Sequence, residues 1–297
     1  MRRGALLAGL LWTSACGPIA TAGPGCRPTL SSIALPDILN ESSGVAVSLR
    51  HPGTFWTHND AESVLYAVDR EGVITARFPL ANRLRDWEDL AVSTCPAHGS
   101  CLYLADLGDN YEERGAGRIR LHRMEEPDPA GPGGPADTDG ALLSEVFPIR
   151  LPDGPRDIEA LLVLPGERVY VVTKGRNHPV TVYRYPPPLR TDTVTLEEVQ
   201  RLTSRARVFP RQVTGGAVDP RGAVIALRTY ESLQFYRMVD DTLAAIDGGL
   251  VNLRTLQEGQ GEGVGIGLDG LVALTSEGAL MGGPGSMSLM RCNLERF

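Results

Sequence analysis

The sequence predicts an all-β chain folded as a five-bladed β-propeller. Three observations carry this reading. A unit of strand, tight turn and strand recurs five times. The last unit lacks an outer strand, and a spare strand stands before the first. Two cysteines flank the two strands that would then meet.

The first residues are read separately. Met1-Arg2-Arg3 is basic, residues 4–12 form a short apolar run, and Thr13-Ser14-Ala15 are small residues before Cys16. This is the pattern of an export leader, with an apolar run too short to span a bilayer. Small residues before a cysteine resemble a bacterial lipoprotein signal, with Cys16 as the lipidated residue. Thr13 stands where that pattern usually has Leu, and an ordinary leader cleaved nearby is the alternative. Residues 1–16 are therefore assigned to the leader, 17–27 to a linker and 28–297 to one propeller domain. The expected location is the outer membrane or cell surface as a lipoprotein, or the periplasm or medium. Contact with a membrane is expected only through the lipid anchor.

Composition narrows the partners. The chain has 297 residues, 34 Gly, 22 Pro and a formal net charge of −7. An acidic balance argues against nucleic acid, and a small anionic molecule or an envelope protein is expected instead, bound by a monomer. Of the 5 cysteines, Cys16 belongs to the leader. Cys26, Cys95, Cys101 and Cys292 form an even set in an exported chain, which favours disulfides. Cys95 and Cys101 flank a short loop, which leaves Cys26 for Cys292.

Unit one opens at Glu41-Ser42-Ser43-Gly44, turns at His51-Pro52-Gly53, and ends its second strand at His58-Asn59-Asp60. Unit two opens at Asp86-Trp87-Glu88-Asp89, and its second strand ends at Asp106-Leu107-Gly108-Asp109-Asn110. A Pro/Gly/Asp-rich insertion over 126–140 follows, then a strand over 146–151. Unit three opens at Arg156-Asp157-Ile158-Glu159 and reaches Thr173-Lys174. Unit four opens at Val213-Thr214-Gly215-Gly216 and reaches Arg228-Thr229-Tyr230. Unit five opens at Gln260-Gly261-Glu262-Gly263 and reaches Thr275-Ser276-Glu277, with a last strand over 287–292. The strand over 28–35 would complete unit five and remove the exposed sheet edges. Trp56 and Trp87 are expected to pack between blades. A sixth blade around 126–151 or 191–210 is the alternative count. A two-domain α/β fold is disfavoured, because its best helix, 196–202, is short.

The first strand of each propeller unit lines the central channel, so the unit openings converge. An inner ring of Ser43 (or Glu41), Glu88, Glu159, Thr214 and Glu262 follows. Carboxylates gathered at one axis either keep protons or hold a cation. Hard oxygen donors without Cys suit Ca²⁺, and His58 alone is too little imidazole for Zn²⁺. A ring solvated by channel water is the alternative. The ends of the second strands place His58, Asn59, Asp106, Asp109, Asn110, Lys174, Arg228 and Tyr230 on the same face. Asp106, Asp109 or His58 would serve as a base. Lys174 and Arg228, with Tyr230, Asn59 and Asn110, would hold an anionic substrate. Structural ion pairing of Lys174 and Arg228 with the acids is the competing role.

Glu-Ser-Ser-Gly-Val-Ala (41–46), Asp-Trp-Glu-Asp-Leu-Ala (86–91), Asp-Leu-Gly-Asp-Asn (106–110), Asp-Ile-Glu-Ala-Leu (157–161) and Gln-Gly-Glu-Gly (260–263) resemble a family of exported bacterial propeller proteins. That resemblance implies the fold and no activity. A more distant similarity is to the calcium-activated nucleotidases of the soluble apyrase type. There the blades offer Ser, Glu, Glu, Ser and Glu in order to a central Ca²⁺. The order falls here on Ser43, Glu88, Glu159, Thr214 and Glu262, with Thr for the second Ser. It implies a metal more than a reaction. Lactonase-type and phytase-type propellers with axial Ca²⁺ are further analogies, and fold alone does not assign function. The expected function is axial binding of a divalent cation. The alternatives are a calcium-dependent hydrolase of a phosphoester, phosphoanhydride or lactone, and a binding propeller without metal.

Overall fold

A computed structural model describes residues 24–96, 98–131, 140–278 and 283–295. Cys16 and the leader lie outside the described residues. Five small antiparallel sheets surround one axis, and no α-helix occurs among the described residues.

Blade 1 is β2 (Ser42–Val47), β3 (Phe55–Asn59), β4 (Val64–Val68) and β5 (Ile74–Pro79). Blade 2 is β6 (Asp89–Ser93), β7 (Cys101–Asp106), β8 (Ile119–Glu125) and β9 (Glu145–Arg150), extended by the short parallel strand β13 (Val194–Thr195). Blade 3 is β10 (Ile158–Leu164), β11 (Arg168–Thr173), β12 (Thr181–Arg184) and β14 (Glu197–Arg201). Blade 4 is β15 (Val213–Val218), β16 (Ile225–Thr229), β17 (Ser232–Val239) and β18 (Thr242–Asn252). Blade 5 is β19 (Gln260–Ile266), β20 (Leu271–Glu277) and β21 (Ser286–Arg291), completed by β1 (Arg27–Ala34).

The regions considered for a sixth blade supply outer strands instead: 126–151 gives β9, and 191–210 gives β13 and β14. The segment weighed as a helix is β14. It is the outer strand of blade 3, paired antiparallel with β12, and only Val199 and Gln200 of its five residues are partly buried.

Burial falls from the axis outward. Every residue of β10 is buried, whereas β1 is mostly exposed. Inner strands are covered on both faces by neighbouring blades, so they are buried almost throughout, and small residues serve as well as apolar ones there. Five hydrophobic clusters result, one at each seam. Trp56 and Trp87 lie fully buried together in the seam of blades 1 and 2, as expected. The seam of blades 5 and 1 joins Val45, Phe55 and Tyr66 to Ala273, Met287 and Leu289. An unbroken circle of seams leaves no blade face exposed.

The circle closes as the sequence predicts. β1 runs antiparallel to β21, with Arg27 opposite Arg291. The adjacent Cys26 and Cys292 form a disulfide across 266 residues, and Cys95 bonds Cys101 across 6. Gly270 is required at this joint: its φ is +70°, and a Cβ there would strike the Cys292 carbonyl oxygen.

Candidate axial acidic site

The five inner strands touch one another in turn around the axis. Four of them slip register by one residue at the position singled out from the sequence. The slips fall at Ser43, Glu159 and Thr214, and across Glu262-Gly263. A bulge bends the strand and re-aims the extra side chain. Glu88 sits just before β6, and its N–H donates to the Ala105 carbonyl at 3.1 Å. The five positions are therefore structurally equivalent, and all five side chains belong to buried residues.

Equivalence does not make them equal partners. Carboxylate oxygens of Glu88, Asp157 and Glu159 lie within 4.8 Å of one another. Asp157 was not among the expected ligands. Its signal was present: Asp86-Trp87-Glu88 and Asp157-Ile158-Glu159 are the same acid-x-acid pair in consecutive blades. Glu262 stands outside that trio, where its Oε1 accepts from Gln260 Nε2 at 3.0 Å. The Thr214 hydroxyl donates to the Glu262 main-chain oxygen at 3.3 Å, so it links blades 4 and 5.

Lys174 enters the trio. Its Nζ is 2.5 Å from Glu159 Oε1 and 3.9 Å from Asp157 Oδ2, and Arg176 reaches Asp157 at 3.9 Å. Asp157 Oδ1 accepts the Asp109 N–H at 3.0 Å, while the buried Oδ2 has no hydrogen-bond partner. Burial and then Glu159 push the Glu88 carboxyl well above the usual carboxylate range. Glu262 is raised by burial and Glu159 in the same way. Burial carries Glu159 up to about 8 despite Lys174. Burial alone would lower the Lys174 ammonium, but Glu159 and its other neighbours raise it. The cluster therefore holds more carboxyl groups than one ammonium can keep ionised, and in the metal-free protein its glutamates hold on to protons.

A second acid was missed from the sequence. Asp89 is fully buried, and its carboxylate accepts the N–H groups of Leu90 at 2.9 Å, Leu161 at 2.8 Å and Gly216 at 3.1 Å. It ties blades 2, 3 and 4 together across the axis. Gly44 lies close beside it, where a Cβ would sit 3.1 Å from the Asp89 Cα. Its role needs the third dimension, since two of its three partners lie in other blades.

The remaining expected residues divide. Arg228 was expected to hold an anion, but it is 0% exposed. Its guanidinium donates to the Gly263 and Thr275 carbonyls at 2.6 and 2.9 Å and pairs with Glu258. It is an inter-blade tie, which corrects the expectation in favour of structural pairing. His58 is equally buried, stacked on Trp87 at 3.7 Å between ring centres, and burial lowers it to about 3. No substrate proton reaches it, so the expectation of a base fails there. Asp106 is 0% exposed and pairs with Arg114 at 2.9 Å, which holds it in the scaffold and removes it as a base. Asp109 accepts the N–H groups of Glu113 and Arg114, both at 2.8 Å, and shapes their loop. Asn59 is likewise engaged, donating to Ile38 O at 2.6 Å and Glu62 at 2.7 Å. Asn110 is exposed. Tyr230 stays at the site: its phenol is raised by burial and by Glu262, and its ring meets the exposed Phe209 at 4.9 Å.

These shifts set the pH dependence of the metal-free protein. Glu159 has a folded value above its unfolded one, so its contribution to stability is complete below about 4.5 and is lost as pH rises through about 8. His58 has a folded value below its unfolded one, so its contribution is complete above about 6.5 and is lost as pH falls through about 3. With chelator present, the melting temperature is expected to fall on both sides of a maximum near pH 5–6. A profile still rising from pH 6 to 9 would contradict the assignment of buried, proton-retaining glutamates.

No protein-family model and no curated protein matches the sequence. Solved structures share the fold. A PQQ-bound aldose sugar dehydrogenase from Streptomyces coelicolor gives a TM-score of 0.53 at 12% identity, covering 91% of this chain and 99% of that one. A luciferin-regenerating enzyme gives 0.52 at 12% identity, covering 89% and 95%. Both are propeller enzymes, and at such identities the likeness shows the fold alone. Fold and site together define the chain as a five-bladed β-propeller with a buried acidic cluster on its axis.

Proposed function

We propose that this chain is an exported propeller that binds a divalent cation, Ca²⁺, through Glu88, Asp157 and Glu159. The observation that carries this is the trio itself: three buried carboxylates with oxygens within 4.8 Å of one another and a buried Asp157 oxygen lacking a hydrogen-bond partner. An all-oxygen donor set suits a hard cation, and Ca²⁺ tolerates irregular geometry better than Mg²⁺. Glu262 stays outside the trio, and burial with Glu159 nearby raises its carboxyl, so it favours the protonated form until a cation is present. The leader-like start and the two disulfides support export.

The second reading is a hydrolase of a phosphoester, phosphoanhydride or lactone. An open depression of about 750 Å³ favours it, because Asp86 lines its wall and its carboxyl interacts with that of Glu88. A cation there would polarise a substrate oxygen and acidify bound water. Asp86, half-buried, is the carboxylate shared by that wall and the surroundings of the cluster, and Asp109, Asn110, Arg85 and Arg114 line the depression with it.

Calcium at about a hundredfold excess over its dissociation constant should add about 2.7 kcal/mol of stability. That corresponds to a melting-temperature rise of about 5–10 °C. Glu159→Gln and Asp157→Asn should each lose most of the rise. Because either change also removes buried charge, the readout is the difference with and without calcium. A parent protein that melts identically in calcium and in chelator refutes the proposal.

A further inference from the structure

A separate basic site lies at the rim of blades 1 and 2. The chain carries a net charge of −7, yet a depression of about 850 Å³ there is lined by Arg83, Arg85 and Arg120 with only Ala61 and Leu84 besides. No acid lines it. Arg85 also lines the adjoining depression, to which Arg114 and Arg118 contribute. Arg114 is neutralised by Asp106 at 2.9 Å. Among the described residues, Arg83, Arg85, Arg118 and Arg120 have no ion-pair partner.

The backbone places these side chains deliberately. The N–H groups of Arg85 and Asp86 donate to Asp106 Oδ1 at 3.3 and 3.2 Å, which pins the segment carrying Arg83 and Arg85 to the end of β7. Arg120 stands opposite Asp106 in the next strand, β8. Asp106 thus joins the elements that carry the three arginines, the segment of Arg83 and Arg85 through its carboxylate and Arg120 through strand pairing. Gathered guanidinium groups repel one another, and an anion among them turns that repulsion into attraction. Arg83 and Arg85 are exposed and Arg120 half-buried, so the groups are reachable from solvent.

We propose that this depression binds the phosphate group of a small phosphorylated ligand. Three guanidinium forks from separate chain positions suit an oxyanion that accepts from several directions and carries more than one charge. A singly charged carboxylate offers fewer acceptor directions. The same headgroup chemistry occurs in a soluble phosphate ester and in a phosphomonoester lipid. The site is independent of the axial cluster and needs no metal.

The test titrates inorganic pyrophosphate into the whole protein by calorimetry at low ionic strength, with EDTA present. Binding is expected in the parent, weakened at least tenfold in Arg83→Gln/Arg120→Gln and unchanged in Glu159→Gln. It should also weaken as salt rises. The arginines are at the surface, so an unchanged melting temperature verifies folding. A second arm uses vesicles of phosphatidylcholine with and without phosphatidic acid. Binding of pyrophosphate alone assigns a soluble ligand, and arginine-dependent binding of phosphatidic acid vesicles as well assigns a lipid source. Absence of pyrophosphate binding in the parent, or equal affinity in the double variant, overturns the proposal. Loss of calcium stabilisation would leave it standing.

Discussion

Replacing Arg228 by methionine is expected to lower stability by about 3–5 kcal/mol, read from the urea midpoint at constant slope. The size follows from what the change leaves behind. Glu258 is 4% exposed and would lose its cation, and the carbonyls of Gly263 and Thr275 would lose donors. The loss falls on the seam of blades 4 and 5, because Arg228 sits on β16 while its partners sit on and around blade 5. A substrate-binding arginine would behave differently, since its removal at a surface costs little stability. Adding Glu258→Leu to the variant should restore part of the loss, because a buried pair replaced by apolar groups avoids the stranded charge. A single variant within about 0.5 kcal/mol of the parent would show that the tie is not made.

The second large effect is at the ring closure. Opening the Cys26–Cys292 bridge by serine substitution should cost about 5 kcal/mol, against about 2 for Cys95–Cys101, on the chain-entropy account. The two bridges span 266 and 6 residues, so they restrict the unfolded chain very differently. The long bridge also secures β1, a largely exposed strand that holds its blade mainly by pairing with β21. Its loss should speed amide exchange in β1 and β21 before the other strands. Equal losses from the two bridges would refute the entropic ordering.

The leading features of the fold were legible because they are local or symmetric. Turns at His51-Pro52-Gly53 and Asp219-Pro220-Arg221-Gly222 mark hairpins wherever they occur. The missing outer strand of blade 5 was a matter of counting strands, and the cysteines then fell beside each other. The candidate site was legible in part. Repetition marked Ser43, Glu88, Glu159, Thr214 and Glu262 as equivalent, and the register slips place them alike. Repetition said nothing of which carboxylates approach closely, and Asp157 displaced Glu262 from the trio.

Lys174 and Arg228 show why. Each ends a second strand in the repeat, and nothing in the repeat separates them. Lys174 meets the acids of its own blade, Asp157 and Glu159. Arg228 crosses to the next blade, where Gly261 leaves room for its guanidinium and Glu258 pairs with it. His58 is withdrawn from solvent by Trp87, an aromatic of the neighbouring blade.

By itself the sequence determined strand period, ring closure and the five equivalent axial positions, and it favoured five blades and the two disulfides, because each depends on chain-local pattern or on symmetry. Only the tertiary structure decided the charge state and company of the axial acids, the burial of Arg228 and His58, and the open arginine cluster. Desolvation and Coulomb energy depend on distance and dielectric across seams between blades. Those distances are properties of packed neighbours far apart along the chain.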